Sequence, residues 1–177
     1  MLERALREDP ERRKLVRQIL ASVRSLESLV KDLLAYGRTE EITTREVDIY
    51  GLIDNVLAEL GEHIEDGKIQ LLKSWNSRTE RVVISADPML LERAFLNMFR
   101  NALEALKQVP EERRKISITV GERSPGSLEI LIEDSGPGIP EEIRDRIFLP
   151  FVTNKKKGSG MGLALTQRFV ESHGGKI

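Results

Sequence analysis

Two glycine-rich clusters give this chain the composition of a nucleotide-binding site. Asp134–Pro140 reads Asp-Ser-Gly-Pro-Gly-Ile-Pro and follows a strand-like run, whereas Gly158–Gly162 reads Gly-Ser-Gly-Met-Gly and opens a helical pattern. Glycine lets the backbone approach a ligand closely, and a glycine-rich turn at the start of a helix presents free N–H groups to phosphates. The carboxylate of Asp134 can accept a hydrogen bond from an amino group such as that of adenine. Together these features predict a nucleotide site.

A second set of polar residues lies on one face of a predicted helix. Asn97, Asn101 and Glu104 are spaced i, i+4 and i+7 within an apolar run that follows Pro88, so they share a helix face. Asparagine is a mediocre helix former, and its amide oxygen suits Mg²⁺ that keeps water and phosphates as its other ligands. Alone, the three residues fit a solvated polar stripe equally well. Beside the glycine clusters, they favour a metal-assisted phosphate site.

The N-terminal region predicts a long amphipathic helix that needs a partner. Asp9 has the properties of an N-cap, Pro10 suits the first helical position and Glu11 favours the helix dipole. The positions that follow have the 4-3-4-3-4 spacing of a coiled-coil seam with one polar member: Leu15, Ile19, Ser22, Leu26, Leu29 and Leu33. We expect a dimeric bundle; the alternative is that this helix packs on its own domain.

A polar linker without periodicity, Gly37–Arg45, is the best domain boundary. Beyond it, strands are predicted at Glu46–Ile49, Ile69–Lys73, Val82–Ser85, Ile116–Val120 and Leu128–Glu133, the last two as a hairpin. Helices are predicted at about Leu52–Ile64, from Asp87-Pro88 to about Lys107, and at Met161–Ser172. Because strands and helices segregate, the expected fold is α+β: a two-layer α/β sandwich with one sheet covered on one face, preceded by the long helix.

Composition excludes several classes of protein. The 177 residues include 28 basic and 29 acidic side chains, for a net charge of −1, so no global positive field suggests nucleic-acid binding. The absence of cysteine excludes disulfides and thiolate metal sites and fits a reducing compartment. No apolar run reaches the roughly 18 residues of a membrane span, and no signal peptide is visible. Both ends look cut, since the chain starts inside a helical pattern and stops at Gly174–Ile177, which has the pattern of an opening strand.

Four segments resemble, in order and spacing, the ATP-binding domain of sensor histidine kinases, within the larger gyrase/Hsp90/MutL ATPase group. They are Asn97–Glu104, Asp134–Ile139, the pair Phe148/Phe151 and Gly158–Leu163. The run from Phe151 to Lys155 looks closest to kinases of the nitrogen-regulator type. The resemblance covers about Val47–Ile177, and the upstream helix resembles the second helix of the family's dimerisation hairpin.

This resemblance implies a role for each matching residue. Asn101 would coordinate the Mg²⁺ that bridges the ATP phosphates, and Asn97 would lie near the γ-phosphate as a second catalytic position. Asp134 would bind the adenine amine, and Lys155, within a mobile lid of residues 149–161, would reach phosphate. The other residues assigned to the nucleotide site are Gly136, Gly138, Ile139, Gly158, Ser159, Gly160, Met161, Gly162 and Leu163. The resemblance leaves the role of Glu104 open.

Plainer interpretations exist for several of these positions. Asp134 can simply cap the turn that follows it, Phe148 and Phe151 can be core anchors, and Lys156 and Lys157 are expected to form a solvated loop. The wider ATPase group often carries a glutamate where this chain has Asn97. An amide cannot act as a general base, which suits transfer to a strong protein nucleophile better than hydrolysis by water.

The histidine that sensor kinases phosphorylate is missing from its expected context. His63 lies at a predicted helix end and His173 at the C-terminus of the last helix, where an imidazole can cap carbonyls; both are expected to be structural. We expect the acceptor upstream of Met1, in a larger kinase of which this chain is a fragment; the alternative is a natural variant without its acceptor. The expected domains are the C-terminal part of the hairpin at 1–38, a linker at 39–45 and a catalytic domain, truncated at its C-terminus, at 46–177.

The resemblance implies a fragment of a protein-histidine kinase that binds ATP and Mg²⁺ and transfers the γ-phosphoryl group to a histidine outside this chain. The implied partners are the receiver domain of a response regulator, whose aspartate takes the phosphoryl group, and a second copy through the helical hairpin. We expect no nucleic-acid partner, no membrane segment and a cytoplasmic location, with the full-length protein either free or membrane-anchored. Two alternatives remain open: a gyrase/Hsp90/MutL-like conformational ATPase, and a nucleotide-dependent binding module that docks through the Leu15–Leu33 seam.

Overall fold

The computed structural model describes residues 10–37, 42–76, 81–124, 126–155 and 158–177. The chain divides into two compact units, Met1–Glu40 and Glu41–Ile177. Helix α1, Pro10–Gly37, is the described part of the first unit. The N-cap predicted at Asp9 lies outside the described residues.

Most of the predicted seam of α1 is exposed. Its polar member, Ser22, donates its hydroxyl to the Gln18 carbonyl at 3.0 Å, one turn earlier. Four of its five apolar members are between 47% and 63% exposed, namely Leu15, Ile19, Leu26 and Leu33, whereas the fifth, Leu29, is half-buried. An apolar stripe of this length is stabilised when a second surface covers it.

The second unit contains five strands and five α-helices among its described residues. The strands are β1 Arg45–Asp48, β2 Gln70–Asn76, β3 Val83–Ala86, β4 Lys115–Ser124 and β5 Ser127–Asp134. The helices are α2 Ile49–Glu59, α3 Gly61–Asp66, α4 Pro88–Leu106, α5 Glu141–Arg144 and α6 Gly162–Ser172, with a 3₁₀ turn at Glu111–Arg113. This mixture confirms the predicted α+β class. No helix in the described part of the chain is long and apolar enough to cross a membrane.

Within the described residues, the strands form two sheets instead of the one predicted. β1 pairs antiparallel with β3, whereas β4 lies between β2, to which it is parallel, and β5, to which it is antiparallel. The predicted hairpin is therefore confirmed, with longer strands and a turn that contains Gly126 at φ +79°. β1 and β3 stay short because each runs into a helix cap, at Asp48 and Asp87 respectively.

Helix α4 is fixed by a cap at its start and by a buried face along its length. The Asp87 carboxylate accepts the N–H groups of Met89 and Leu90 at 3.0 and 3.2 Å, and Pro88 occupies the first turn. The apolar face of α4 shares one core with the central strand β4; its fully buried members include Phe99, Leu106, Ile116, Ile118 and Val120. Each of these side chains contributes roughly 1.5–3 kcal/mol by leaving water. Burial of this face leaves the other for polar residues.

The helix predicted at about 52–64 is wrong in its bounds. It begins earlier, at Ile49, because the Asp48 side chain accepts a backbone N–H two residues on at 3.2 Å and caps α2. The strand predicted before it therefore ends one residue early. The helix is interrupted at Leu60, and α3 starts at Gly61. Glycine is a poor helix former, and its presence favours a break at this point.

Helix α6 packs along α4. Arg93 of α4 lies over the ring of the buried Phe169 at 4.9 Å. His173, at the end of α6, binds the Phe169 carbonyl through Nδ1 at 2.6 Å, and its Nε2 accepts the Asp87 N–H at 2.8 Å. An imidazole nitrogen that accepts an N–H carries no proton, so Nδ1 is the donor to Phe169. The predicted structural role of His173 is thus confirmed, and this side chain joins the end of α6 to the start of α4.

Candidate nucleotide site

Three segments that are far apart in sequence converge on the polar face of α4. Asn97, Asn101 and Ala105 follow one another at intervals of four residues, so they form a row along the helix. The start of α6 contacts Asn97, the lysine of the predicted lid contacts Asn101, and the turn after β5 lies against Ala105. Helix α4 is thus the surface on which the motif residues meet.

Asn97 ties α4 to the first residue of α6. Its Nδ2 donates to the Gly162 carbonyl oxygen at 3.2 Å, and the same oxygen accepts the hydroxyl of the buried Thr166 at 2.9 Å. A Cβ added to Gly162 would lie 3.6 Å from Asn97 Cγ, in ordinary contact. Met161, the residue before α6, forms no side-chain cap. The N–H groups of the first turn of α6 therefore have no acceptor from that side chain and lie at one end of the row.

Lys155 of the predicted lid reaches across to α4. Its ammonium nitrogen lies 2.7 Å from Asn101 Oδ1 and 2.7 Å from Glu104 Oε2. The side chains of Lys155 and Glu104 are 32% and 53% exposed, so water screens this ion pair, which is worth at most about 1 kcal/mol. The backbone is held as well, since the Lys155 N–H donates to Thr153 Oγ1 at 3.1 Å. A cation therefore lies at the amide oxygen that the resemblance assigns to Mg²⁺.

Asp134 and Gly136 form the turn that follows β5. Asp134 Oδ1 accepts the Gly136 N–H at 2.8 Å, so Asp134 does cap this turn, and a carboxylate has further acceptor capacity at its second oxygen, Oδ2. A Cβ added to Gly136 would lie 2.8 Å from Ala105 Cβ, so a larger residue could not approach α4 this closely. Further along the loop, Gly138 has φ +80° with open space where a Cβ would lie, and Ile139 is 43% exposed.

A backbone hydrogen bond joins Phe151 to Gly160, at the two sides of the loop that is predicted to be a lid. The Phe151 N–H donates to the Gly160 carbonyl at 3.0 Å, and the two residues have positive φ angles of +66° and +68°. A Cβ added to Gly160 would lie 2.5 Å from the Phe151 carbonyl carbon, a clash that glycine avoids. Phe151 is 58% exposed, so its interpretation as a core anchor is wrong, whereas Phe148 is half-buried.

The other predicted residues of the second glycine cluster support the loop rather than line one surface. Ser159 Oγ accepts the Met161 N–H at 3.2 Å, and the Met161 side chain is fully buried. Leu163 is half-buried, and Gly158 is exposed. The solvated loop predicted at 156–157 lies outside the described residues.

The donors around Asn101 fit a metal ion that brings most of its own ligands. Within the ranges that the structure describes, no group of three or more His, Cys, Asp and Glu side chains is placed to hold a metal. Asn101 offers a neutral oxygen that already accepts a cation, the Lys155 ammonium. A hard oxygen donor of this kind suits Mg²⁺ held chiefly by phosphates and water.

Two contacts at the site do not follow from the sequence patterns. The first is the ion pair between Glu104 and Lys155. The sequence does place Glu104 on the same helix face as Asn101, which indicates that the two residues act at one site, but it does not indicate Lys155 as their partner. The approach of Gly136 to Ala105 has a weaker signal, the small side chain of alanine on the polar face of α4. Both contacts join residues that are distant in sequence, which local patterns do not report.

A cavity of about 430 Å³ lies beside α3 and the C-terminal half of α4, and its lining includes His63, Arg100, Lys107 and Arg114. Of the residues that make the contacts above, its lining contains Glu104 but neither Asn97, Asn101 nor Lys155. The convergence of the motif residues on α4, and not this cavity, therefore marks the candidate site.

Comparison with known proteins gives a family. Residues 86–177 match the family described as histidine kinase-, DNA gyrase B- and HSP90-like ATPase. The chain is 34% identical over 152 residues to the sensor histidine kinase ZraS of Escherichia coli (strain K12), and the matched region is 86% of this chain and 31% of ZraS. It is 30% identical over 183 residues to the sensory histidine kinase/phosphatase NtrB of Salmonella typhimurium, and the matched region is 100% of this chain and 51% of NtrB. The chain thus spans about a third to a half of the length of these relatives.

Solved structures give the same architecture. The nucleotide-free catalytic domain of histidine kinase ThkA matches with a TM-score of 0.63 at 30% identity, over 75% of this chain and 82% of that one. Full-length ShkA in complex with AMPPNP matches with a TM-score of 0.75 at 28% identity, over 94% of this chain and 35% of that one. Histidine kinase ThkA in complex with the response regulator protein TrrA matches with a TM-score of 0.76 at 29% identity, over 96% and 48%.

Proposed function

Because the chain belongs to the family of histidine kinase-, DNA gyrase B- and HSP90-like ATPases, as an ATP-binding domain of the sensor histidine kinase type, we propose that it is the catalytic part of a two-component sensor kinase. It binds Mg·ATP and transfers the γ-phosphoryl group to a histidine outside this chain. The observation that carries the proposal is the meeting of three motif segments on one face of α4.

The adenine end of ATP is assigned to the turn after β5. Asp134 Oδ2 accepts the exocyclic amine, while Oδ1 keeps its bond to the Gly136 N–H. Gly136 and Gly138 let the chain pass close to the base, and the exposed side chain of Ile139 becomes covered by it. The complex of ShkA with AMPPNP, an ATP analogue, supports nucleotide binding by this fold.

The phosphate end of ATP is assigned to the lid and the start of α6. The N–H groups at Gly158, Gly160 and Gly162 face the phosphates, with the dipole of α6 behind them. To do so, the Gly158 N–H exchanges its 3.4 Å bond to the Lys155 carbonyl for a phosphate oxygen. Lys155 contacts a phosphate oxygen, and Asn101 holds Mg²⁺, which neutralises charge on the phosphates when it is bound. Ser159, Met161 and Leu163 support this loop, the first through its bond to the Met161 N–H.

Asn97 is assigned a positioning role at the reacting end. Its amide donates to the Gly162 carbonyl and so holds the first turn of α6, with its N–H groups, beside the γ-phosphate. An amide cannot remove a proton from water, whereas a neutral imidazole nitrogen of an acceptor histidine attacks phosphorus without such help. This favours a kinase over a conformational ATPase of the gyrase type.

The partners follow from the same assignment. The solved complex of ThkA with the response regulator TrrA supports a response-regulator receiver domain as the recipient of the phosphoryl group. The exposed seam of α1 is assigned to a homodimer made by the helical hairpin of the full-length protein, with residues 1–38 as hairpin, 39–45 as linker and 46–177 as catalytic domain. Use of ATP as phosphoryl donor assigns the domain to the cytoplasm.

Calorimetric titration with ADP tests the proposal. We expect binding that strengthens when Mg²⁺ is present and that is much weaker for GDP. A second step adds a separate helical hairpin that carries an acceptor histidine, together with labelled ATP, and measures transfer of label to the hairpin. Absence of ADP binding, or Mg²⁺-dependent phosphate release without any transfer to a hairpin, would contradict the proposal.

A further inference from the structure

The lysine of the lid already places a positive charge at the assigned metal position. Lys155 lies 2.7 Å from both Asn101 Oδ1 and Glu104 Oε2, and the three residues come from α4 and from a loop more than fifty positions later in the chain. An ammonium has three donors and no acceptor, so two of its donors are engaged on α4. Its side chain is 32% exposed.

Hydrogen bonds hold the backbone at Lys155 in place. The side chain can therefore change its partner by rotation while the backbone does not move. The Lys155 N–H donates to Thr153 Oγ1 at 3.1 Å, and its carbonyl accepts the Gly158 N–H at 3.4 Å. A Mg²⁺ ion and an ammonium within a few ångströms of each other repel. Both therefore cannot occupy the Asn101 oxygen together at low cost.

On the basis of the proposed function, we propose that Lys155 and Mg²⁺ compete for Asn101, and that Glu104 is the positioning residue that holds the lysine there when no nucleotide is bound. Arrival of the metal–nucleotide complex moves the ammonium from the amide oxygen to a phosphate oxygen. The lid then contacts the nucleotide only when the metal has replaced the lysine on α4. Glu104 thereby raises the Mg²⁺ concentration that tight nucleotide binding requires.

Two roles of Glu104 predict opposite results for Glu104→Gln. If Glu104 holds the lysine, its neutralisation releases a competitor, and less Mg²⁺ is needed for half-maximal tightening of ADP binding. If Glu104 instead attracts the metal directly, its neutralisation raises the Mg²⁺ requirement. Glu92→Gln is the matched control, because Glu92 is an exposed residue of the same helix and the chemical change is the same.

The first measurement uses the nucleotide-free chain and does not depend on ADP binding. An N-hydroxysuccinimide ester acylates lysine amines, and mass spectrometry after a digestion that does not cut at lysine gives the rate at Lys155 relative to the exposed Lys107. We expect Lys155 to react more slowly than Lys107, and Glu104→Gln to raise the Lys155 rate by about two- to fivefold, the range for a partly exposed ion pair. Equal rates, or no change in Glu104→Gln, would overturn the inference.

The second measurement is the Mg²⁺ dependence of ADP binding by calorimetry. We expect the half-saturating Mg²⁺ concentration to fall by about two- to fivefold in Glu104→Gln and to stay constant in Glu92→Gln. An unchanged or higher Mg²⁺ requirement in Glu104→Gln overturns the competition while leaving the proposed function intact. No ADP binding by the unsubstituted chain overturns the proposed function and the competition together, and the acylation rates still decide whether Glu104 holds Lys155.

Discussion

Replacing Asp134 by asparagine should change the base preference of the site while the turn survives. Asp134 Oδ1 accepts the Gly136 N–H at 2.8 Å, and the amide oxygen of asparagine can take over this bond. The amide nitrogen then stands in the place of Oδ2, where it meets the exocyclic amine of adenine as donor against donor. Because one oxygen is committed to the turn, a single charge-assisted hydrogen bond is lost, which is worth about 1.5–3 kcal/mol. ADP affinity should therefore fall about 10- to 150-fold.

Guanine separates this explanation from a general loss of binding. Its six-position oxygen accepts a hydrogen bond and cannot donate one, so the unsubstituted chain should bind GDP poorly, and Asp134→Asn should bind GDP better than the unsubstituted chain does. The assay is calorimetric titration of both nucleotides with Mg²⁺. Asp134→Ala should lose ADP affinity and also lower the melting temperature, because it removes the cap of the turn. Glu133→Gln, an exposed neighbour in β5, is the control and should leave both affinities unchanged.

Two results would refute the reasoning about Asp134. The first is equal affinity of the unsubstituted chain for ADP and GDP, which would mean that the carboxylate does not read the base. The second is unchanged ADP affinity in Asp134→Asn with an unchanged melting temperature, which would leave Asp134 only its observed bond to Gly136.

Three further predictions use the same purified chain. Asn101→Ala should abolish the Mg²⁺ dependence of ADP binding in calorimetry, and an intact Mg²⁺ response would remove Asn101 from the metal site. Gly160→Ala should cost about 1–2 kcal/mol or more of unfolding free energy, because φ is +68° and the added carbon clashes; Gly61→Ala, with open space and no positive φ, should be neutral or stabilising in thermal melts. The hydrogen bond and the charge of Lys68 lower the pKa of Glu111 below its ordinary value of 4.5, so the stabilisation lost in Glu111→Gln should be seen above that pH and disappear as the pH falls through the lowered pKa. A difference in melting temperature between Glu111→Gln and the unsubstituted chain that persists at acid pH would contradict this prediction.

The sequence predicts best those elements that combine a marked end, such as a helix cap or turn residues, with a clear pattern of apolar residues. Helix α4 was expected from Asp87-Pro88 to about Lys107 and runs Pro88–Leu106, because an aspartate cap, a first-turn proline and an apolar stripe all indicate the same start and face. The hairpin β4–β5 was expected for a similar reason, with turn residues between two apolar runs. By contrast, a single aspartate, Asp48, marks the start of α2, and it lies inside a short strand-like run. The sequence pattern therefore does not reveal that α2 begins there.

The contacts that make the site are harder to predict because no local pattern encodes them. The sequence places Asn97 and Asn101 on one face of a helix, but it does not report that the Asn97 amide binds the Gly162 carbonyl or that Lys155 binds Asn101. The first pair depends on how α6 packs on α4, which the contact of Phe169 with Arg93 and the bonds of His173 fix, and the second depends on where the loop that carries Lys155 lies. The motif residues were therefore predictable as a set, and their partners were not.

The bond between Asn97 and Gly162 also limits how this site could become a hydrolase. A glutamate at position 97 would supply a general base, as in the wider ATPase group, but a carboxylate cannot donate to the Gly162 carbonyl that Asn97 now contacts at 3.2 Å. Two acceptors would then face each other at the start of α6, at a cost of about 1–3 kcal/mol. Asn97→Glu should therefore lower the melting temperature and weaken ADP binding without raising ATP hydrolysis, and Asn97→Asp, which is close in shape but also lacks the donor, should show the same loss. A rise in phosphate release by Asn97→Glu with an unchanged melting temperature would mean that the base is what the site lacks, and that the Asn97 bond does not position α6.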